Sequence, residues 1–183
     1  GTVRGLELPA SQFQKAMEGR IMFDGSAMDG DARQEESDML LRPDLRSLRV
    51  LPWDPEIAIV ACAVYRPDGG RFEGDPRASL ERAVRGLADA GYEARIAADI
   101  EFFLLRRDAE GGVSRTPLDG GGYYELQPDD RGAVVRREVV DALEKLGIAT
   151  RGALHEVAPG QHRIELAPLP AVQLADSLVL LKT

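Results

Sequence analysis

Glu73-Gly74-Asp75-Pro76-Arg77-Ala78-Ser79-Leu80-Glu81-Arg82-Ala83-Val84-Arg85-Gly86-Leu87-Ala88 is the stretch on which the fold turns. Asp75 is a favourable N-cap, and Pro76 carries the fixed φ that suits a first helical position. Leu80, Val84, Leu87 and Ala88 recur at helical spacing until Gly91 stops the run. Upstream the pattern is of strands and turns. Residues 48–53 and 57–65 read as two strands separated by Pro52, Asp54 and Pro55, and Pro67-Asp68-Gly69-Gly70 supplies a hairpin turn. Ser11 to Glu18 reads as one short helix, and Asp24-Gly25-Ser26 as a turn. The change at Gly74-Asp75 predicts two modules, 1–74 and 75–183. The first is a small twisted sheet with Phe23, Val50, Ile59 and Val64 in its core.

Downstream, Arg95 to Leu105 reads as a strand whose end, Phe102-Phe103-Leu104-Leu105, is expected to be buried. Gly120-Gly121-Gly122 forms a loop before Tyr123-Tyr124. A second helix carries Val135, Val139, Leu143 and Leu146 on one face and stops at Gly147. His155-Glu156-Val157 opens an extended piece that Pro159-Gly160 breaks and Ile164-Glu165-Leu166 resumes. Residues 171–182 form an apolar helix. Strands and helices in this order indicate an α+β or α/β fold. The second module has too few elements to close a large sheet, and the chain lacks an initiator Met, so a segment of a longer protein is expected.

Composition narrows the function classes. Of 183 residues, 23 are basic and 31 acidic, a net charge of −8. This argues against nucleic acid as the main partner, because phosphate binding needs a basic patch. Aromatic residues at 5% leave few stacking platforms for bases. An acidic balance suits a protein that holds divalent cations. The two His residues, His155 and His162, limit any metal site to one rich in carboxylates or one with at most two imidazoles. The single Cys62 lies in the apolar run Ile57–Val64 and reads as a packed core thiol, which fits a reducing, cytoplasmic compartment. No stretch approaches the ~20 apolar residues of a membrane span, and Gly1-Thr2-Val3-Arg4 shows no basic region followed by an apolar run, so no signal peptide is expected within these residues.

Asp99 and Glu101 stand two apart in a predicted strand, so both carboxylates project to one face while Ile100 and Phe102 project to the other. Two such carboxylates repel unless a cation or an Arg lies between them, or unless the face is simply solvated. Glu156 sits between apolar neighbours and reads either as a surface carboxylate at a strand end or as a third ligand. His162 follows a Pro-Gly break and reads as a turn residue.

Taken in order, several strings resemble glutamine synthetase, the ATP-dependent glutamate–ammonia ligase, in its bacterial type I form. They are Ile21-Met22-Phe23-Asp24-Gly25-Ser26, Glu36-Ser37-Asp38-Met39, Pro43-Asp44, Phe72-Glu73-Gly74-Asp75-Pro76-Arg77, Glu101-Phe102-Phe103, Gly121-Gly122-Tyr123 and His155-Glu156-Val157-Ala158-Pro159-Gly160-Gln161-His162. The resemblance implies an α+β chain: an N-terminal β-grasp domain over 1–74, then the truncated start of a catalytic domain over 75–183, with an antiparallel sheet and flanking helices. It implies Mg²⁺ or Mn²⁺ as metal ions, and ATP, glutamate and ammonia as substrates. It also implies a cytoplasmic homo-oligomer, a dodecamer when full length. By position, Asp99, Glu101 and Glu156 match metal ligands, Tyr123 a residue near the nucleotide, and Asp24 and Asp38 residues that reach a neighbouring subunit's ammonium site.

The chain also departs from the family. Arg163 stands where a further metal-binding Glu is expected, Arg151 replaces a Glu near the nucleotide, Leu154 replaces a His, and Ala27 a Ser. A fixed guanidinium beside a divalent ion is repulsive, so Arg163 is expected to lie close to the three carboxylates and to weaken a metal site there. Three readings stay open: a segment of a glutamine synthetase, a γ-glutamyl-polyamine ligase of the same superfamily, or a non-catalytic relative kept as scaffold or regulator. On each, the segment alone is expected to lack ligase activity.

Overall fold

The computed structural model describes residues 3–27, 38–126 and 130–182. In chain order, α1 (Phe13–Met17), β1 (Ile21–Asp24), β2 (Asp38–Pro43), β3 (Arg49–Leu51), β4 (Asp54–Ile59) and β5 (Cys62–Tyr65) precede α2 (Pro76–Asp89). Next come β6 (Arg95–Ile96), β7 (Asp99–Phe103), β8 (Leu105–Arg107) and β9 (Val113–Pro117). The chain ends with α3 (Arg131–Lys145), β10 (Thr150–His155), β11 (Gln161–Leu166), β12 (Leu169–Pro170) and α4 (Ala171–Lys182). Two compact units result: Gly1–Ala94 with Pro170–Thr183, and Arg95–Leu169.

In the first unit β1, β2 and β5 form an antiparallel sheet in that order. Phe23 lies opposite Met39, and Leu41 opposite Val64. Side chains alternate across such a pair, which brings Met39, Val64 and Phe72 into one buried cluster with Phe23 and Leu41 against it. Val50 is a correction to the expected core: it is 54% exposed. It lies on the separate two-stranded ribbon of β3 and β4, which the cluster does not cover. Cys62 is half-buried, and burial pushes its thiol up. The hairpin turn forms as the residues dictate: the Arg66 amide donates to Gly70 O at 2.8 Å, and Gly69 takes a φ of +84° that glycine adopts without strain.

Asp75 caps α2, its carboxylate accepting from the Arg77 amide at 2.9 Å and from the Val64 amide at 3.2 Å. One buried side chain therefore starts the helix and fastens it to β5. Arg77, one residue into α2, is a hub. Its guanidinium donates to Asp44 at 2.6 Å, Glu81 at 2.7 Å and Asp176 of α4 at 2.9 Å. The bond from Arg46, with that from Arg77 acting against burial, holds Asp44 far below the usual carboxylate range.

The second unit is built on the antiparallel sheet β10-β11-β7. Asp99 pairs with Glu165, Glu101 with Arg163, and Phe102 with His162 across β7 and β11. β10 begins at Thr150, earlier than the expected start at His155. Gly147, at φ +74°, turns the chain straight from α3 into the strand, and Gly152 and an adjacent register shift blur the alternation. The end of the first strand also differs from expectation, since Phe103 is 56% and Leu105 41% exposed. The chain leaves the sheet at Leu104, and β8 pairs instead with β9 in a separate hairpin.

Candidate functional site

Strict alternation in β11 sorts its side chains onto two faces, and each face carries its own polar system. His162, Ile164 and Leu166 are fully buried on the face that α3 covers, whereas Arg163 and Glu165 lie on the opposite face.

The covered face holds Asp119, His155 and His162. One ligand atom from each lies within 4.8 Å of the others, a spacing that could hold a metal ion. Hydrogen-bond accounting decides otherwise. His162 Nδ1 lies 2.8 Å from Arg136 Nη1, and a guanidinium only donates, so Nδ1 accepts and the ring proton sits on Nε2. That proton faces Asp119 Oδ2 at 3.5 Å. His155 points Nδ1 at the Glu156 carbonyl at 2.7 Å and Nε2 at Asp119 Oδ1 at 2.7 Å, an arrangement that only the doubly protonated ring satisfies with two donors. Metal binding here would require both rings to surrender their Nε2 protons while Arg136 still occupies His162 Nδ1. The trio is therefore held as an ion-pair network, in which Asp119 Oδ2 and His162 Nε2 face each other at 3.5 Å without an aligned hydrogen bond. It continues through Arg136 to Asp130, which accepts at 2.6 Å and caps α3 through the Ala133 amide. Burial pushes His155 down, but the bond and charge of Asp119 outweigh it and the net shift is upward. Burial with the charges of Arg136 and His155 lowers His162 despite Asp119. Asp119 itself is raised by burial and more strongly lowered by His155 and the Gly160 amide, for a net shift downward.

Two glycines make room for the rings. A Cβ on Gly132 would lie 2.2 Å from His162 Cε1, and one on Gly121 2.7 Å from His155 Nε2. Sequence reasoning missed this network. In sequence His162 has the pattern of a turn residue and Asp119 carries no distinguishing mark. The signal that could have found it is the alternation of β11, which places His162 on the same face as Ile164 and Leu166.

The opposite face brings together Asp99, Glu101, Glu156, Glu165, Arg151 and Arg163. Arg163 Nε lies 3.0 Å from Glu156 Oε1 and 3.7 Å from Glu165 Oε1, while Nη1 lies 3.8 Å from Asp99 Oδ2. Nη2 donates to Tyr123 Oη at 3.3 Å. The Nε hydrogen is not aimed at Glu156, so that contact is charge pairing without an aligned hydrogen bond. Glu101 accepts from Gln161 Nε2 at 2.8 Å, and Arg151 reaches Asp99 at 3.4 Å. Glu156 is 7% exposed. Asp99, Glu101 and Glu156 thus share one face with Tyr123 at its edge, and Arg163 lies among them. These residues do not fit a divalent ion at that position, because a permanent cation already fills the space between the carboxylates. Asp24 and Asp38, in the other unit, are direct cross-strand partners with both carboxylates exposed. Asp24 accepts from the Ser26 amide at 2.9 Å, and hydrogen bonding from Ser26 holds it below the usual range. Ala27 closes the turn as the third residue of Gly25–Ala27.

Among the described residues no helix is long and apolar enough to cross a membrane. Comparison with known proteins places the chain. Residues 1–67 match the family model for the glutamine synthetase β-grasp domain, and residues 73–183 that for the glutamine synthetase catalytic domain. The chain is 44% identical to the glutamine synthetase of Thermus thermophilus, over 100% of its own length and 42% of the relative's. It is 41% identical to that of Staphylococcus aureus, over 97% of its own length and 41% of the relative's. It therefore spans about two fifths of these curated relatives. A structure described as apo GmaS without ligand superposes with a TM-score of 0.80 at 26% identity, covering 96% of this chain and 41% of that one. A Plasmodium falciparum glutamine synthetase, at 20% identity and a TM-score of 0.74, shares the fold over 96% of this chain and 40% of its own. With both family models matched in order along its length, the chain belongs to the glutamine synthetase family.

Proposed function

We propose that this chain serves the ligase chemistry of its family as part of a longer protein: ATP-dependent joining of ammonia to the side-chain carboxylate of glutamate, by way of γ-glutamyl phosphate. On this reading residues 1–74 are the β-grasp domain, 75–183 open the catalytic domain, and the whole protein works as a cytoplasmic homo-oligomer. The observation that supports it is the convergence of Asp99, Glu101, Glu156 and Tyr123 on one face of the β10-β11-β7 sheet, in a chain whose whole length matches the family. Tyr123 lines the nucleotide side of that face. Asp24 and Asp38, paired across β1 and β2, present two exposed carboxylates suited to a small cation such as ammonium. Mg²⁺ or Mn²⁺ belongs to this reading as the family's ion, but not at the position Arg163 holds.

The test is phosphate release by the whole-length protein with ATP, glutamate, ammonium and Mg²⁺ or Mn²⁺. Release that requires both glutamate and ammonium is expected, and release from neither overturns the reading. Release with glutamate and a polyamine, but not with ammonium, would move the assignment to a γ-glutamyl-polyamine ligase. The 183-residue chain assayed alone is expected to stay at background, since phosphoryl transfer needs cations and ligands converging on one closed cavity. One observation favours a second reading, a non-catalytic member kept for assembly or regulation: Arg163 reverses the charge at the centre of the acidic face. On that reading the whole-length protein forms the family's large oligomer by light scattering yet releases no phosphate.

A further inference from the structure

We propose that Arg163 is the resident cation of the acidic face, a tethered guanidinium that balances Asp99, Glu156 and Glu165 permanently and makes the face independent of divalent metal. This concerns the chain's own electrostatics and stands whether or not the ligase reading holds.

Arg163 lies in β11, the middle strand of the sheet, directly across from Glu101 on β7 and Leu154 on β10. Strand pairing on both sides fixes its Cα, and only its side-chain torsions could withdraw the charge. The guanidinium is also held at several points. It contacts Glu156 at 3.0 Å, Glu165 at 3.7 Å, Asp99 at 3.8 Å and the Tyr123 hydroxyl at 3.3 Å, and its side chain is only 16% exposed. Swinging out would abandon all four partners and leave Glu156 buried without its counter-charge.

A divalent ion bound to Glu156 at the ~2.0–2.1 Å typical of Mg²⁺ would lie within roughly 5 Å of the guanidinium, since Nε is 3.0 Å from the same carboxylate oxygen. The two cations would compete for one set of oxygens. An Arg cannot resolve that conflict by losing its proton, because its pKa exceeds ~12. A Lys in this position could. The face carries four carboxylates, Asp99, Glu101, Glu156 and Glu165, against the two guanidiniums of Arg151 and Arg163, and Arg163 touches three of the four.

The experiment is Mn²⁺ titration of the 183-residue chain, read by the loss of the free-ion electron paramagnetic resonance signal and by thermal midpoints with and without a chelator. For the unaltered chain, no saturable Mn²⁺ binding at this face and a chelator-insensitive midpoint are expected. Arg163→Glu should tighten Mn²⁺ binding at least tenfold and make the midpoint fall when chelator is added. Adding Glu156→Gln to that variant should remove the gain, which separates this face from any binding at Asp24 and Asp38. Arg163→Lys carries a cation that can give up its proton, so it should bind Mn²⁺ more weakly than Arg163→Glu and more tightly as pH rises. If Arg163→Glu does not fold, Arg163→Gln carries the test, and Mn²⁺ should raise its midpoint more than that of the unaltered chain. Equal Mn²⁺ affinity in the unaltered chain and Arg163→Glu, or equal midpoint shifts in the unaltered chain and Arg163→Gln, overturns the proposal. No substrate enters these measurements, so their failure leaves the ligase reading untouched, and the absence of phosphate release leaves them untouched in turn.

Discussion

Asp119 answers to two imidazoles at once, and their protonation states pull stability in opposite directions. His155 has a raised folded-state pKa, so its contribution is fully present below its ordinary value of 6.5 and is lost as pH rises through the folded value. His162 has a lowered one: between its folded value and 6.5 the unfolded chain binds the extra proton, and stability falls on acidification through that window. Asp119 is lowered, so its contribution is present above the ordinary value of 3.8 and is lost as pH falls through the folded value. Asp119→Asn keeps the shape and removes the charge. It should lower stability at pH 7 by about 2–4 kcal/mol, slightly less than a fully buried broken pair. It should also abolish the decline that His155 produces as pH rises from 6.5 through its raised folded value. Urea unfolding followed from pH 5 to pH 9 reads both effects, and a variant whose slope above pH 6.5 matches the parent would show that His155 is not held charged by Asp119. None of this network was legible residue by residue. Each member looks ordinary in sequence, and only pairing of β10 with β11 and closure by α3 make them neighbours. The acidic face was more legible, because the two-residue spacing of Asp99 and Glu101 fixes a shared side of a strand before any tertiary contact is known.

At the scale of elements, α3 and α2 offer a matched contrast. Alanine in a helix interior is favoured over glycine by about 1 kcal/mol, so Gly86→Ala in α2, where an added Cβ meets nothing within 4 Å, should stabilise by roughly that amount. The same change at Gly132 in α3 should destabilise by about 1–3 kcal/mol, as overpacking does, because its Cβ would sit 2.2 Å from the His162 ring. Denaturant midpoints of the two variants should therefore move in opposite directions. Movement of both toward higher stability would mean that the ring has room to shift. Helices were the most legible elements, since caps and spacing are local: Asp75, Pro76 and Gly91 mark α2 in sequence and in structure alike. Strand ends were least legible. Where β7 stops and β8 begins is decided by which partner strand remains available at Leu104, and Phe103 carries no mark of that.

For the whole molecule, the decisive side chain is Arg77. Its partners Asp44 and Asp176 lie 33 and 99 residues away in sequence, and it ties them into one unit. Arg77→Ala should cost about 3–5 kcal/mol, the loss that follows when one partner of a buried ion pair is removed. Faster amide exchange should then appear across Ala171–Lys182 before the rest of the unit loosens. Uniform exchange across the unit would show that α4 does not depend on the pair. The same connectivity dictates an order of events during synthesis. Residues 95–169 are contiguous and can settle as soon as they emerge, whereas the earlier-made residues 1–94 await a helix whose codons are read some 75 residues later. At about 5–20 residues per second that wait is roughly 4–15 s. Throughout it the acidic partners of Arg77 are incomplete and the surface destined for α4 is open. On the ribosome the later-made unit is complete at residue 169, before α4 has been made, so the earlier-made unit is the one left open longest.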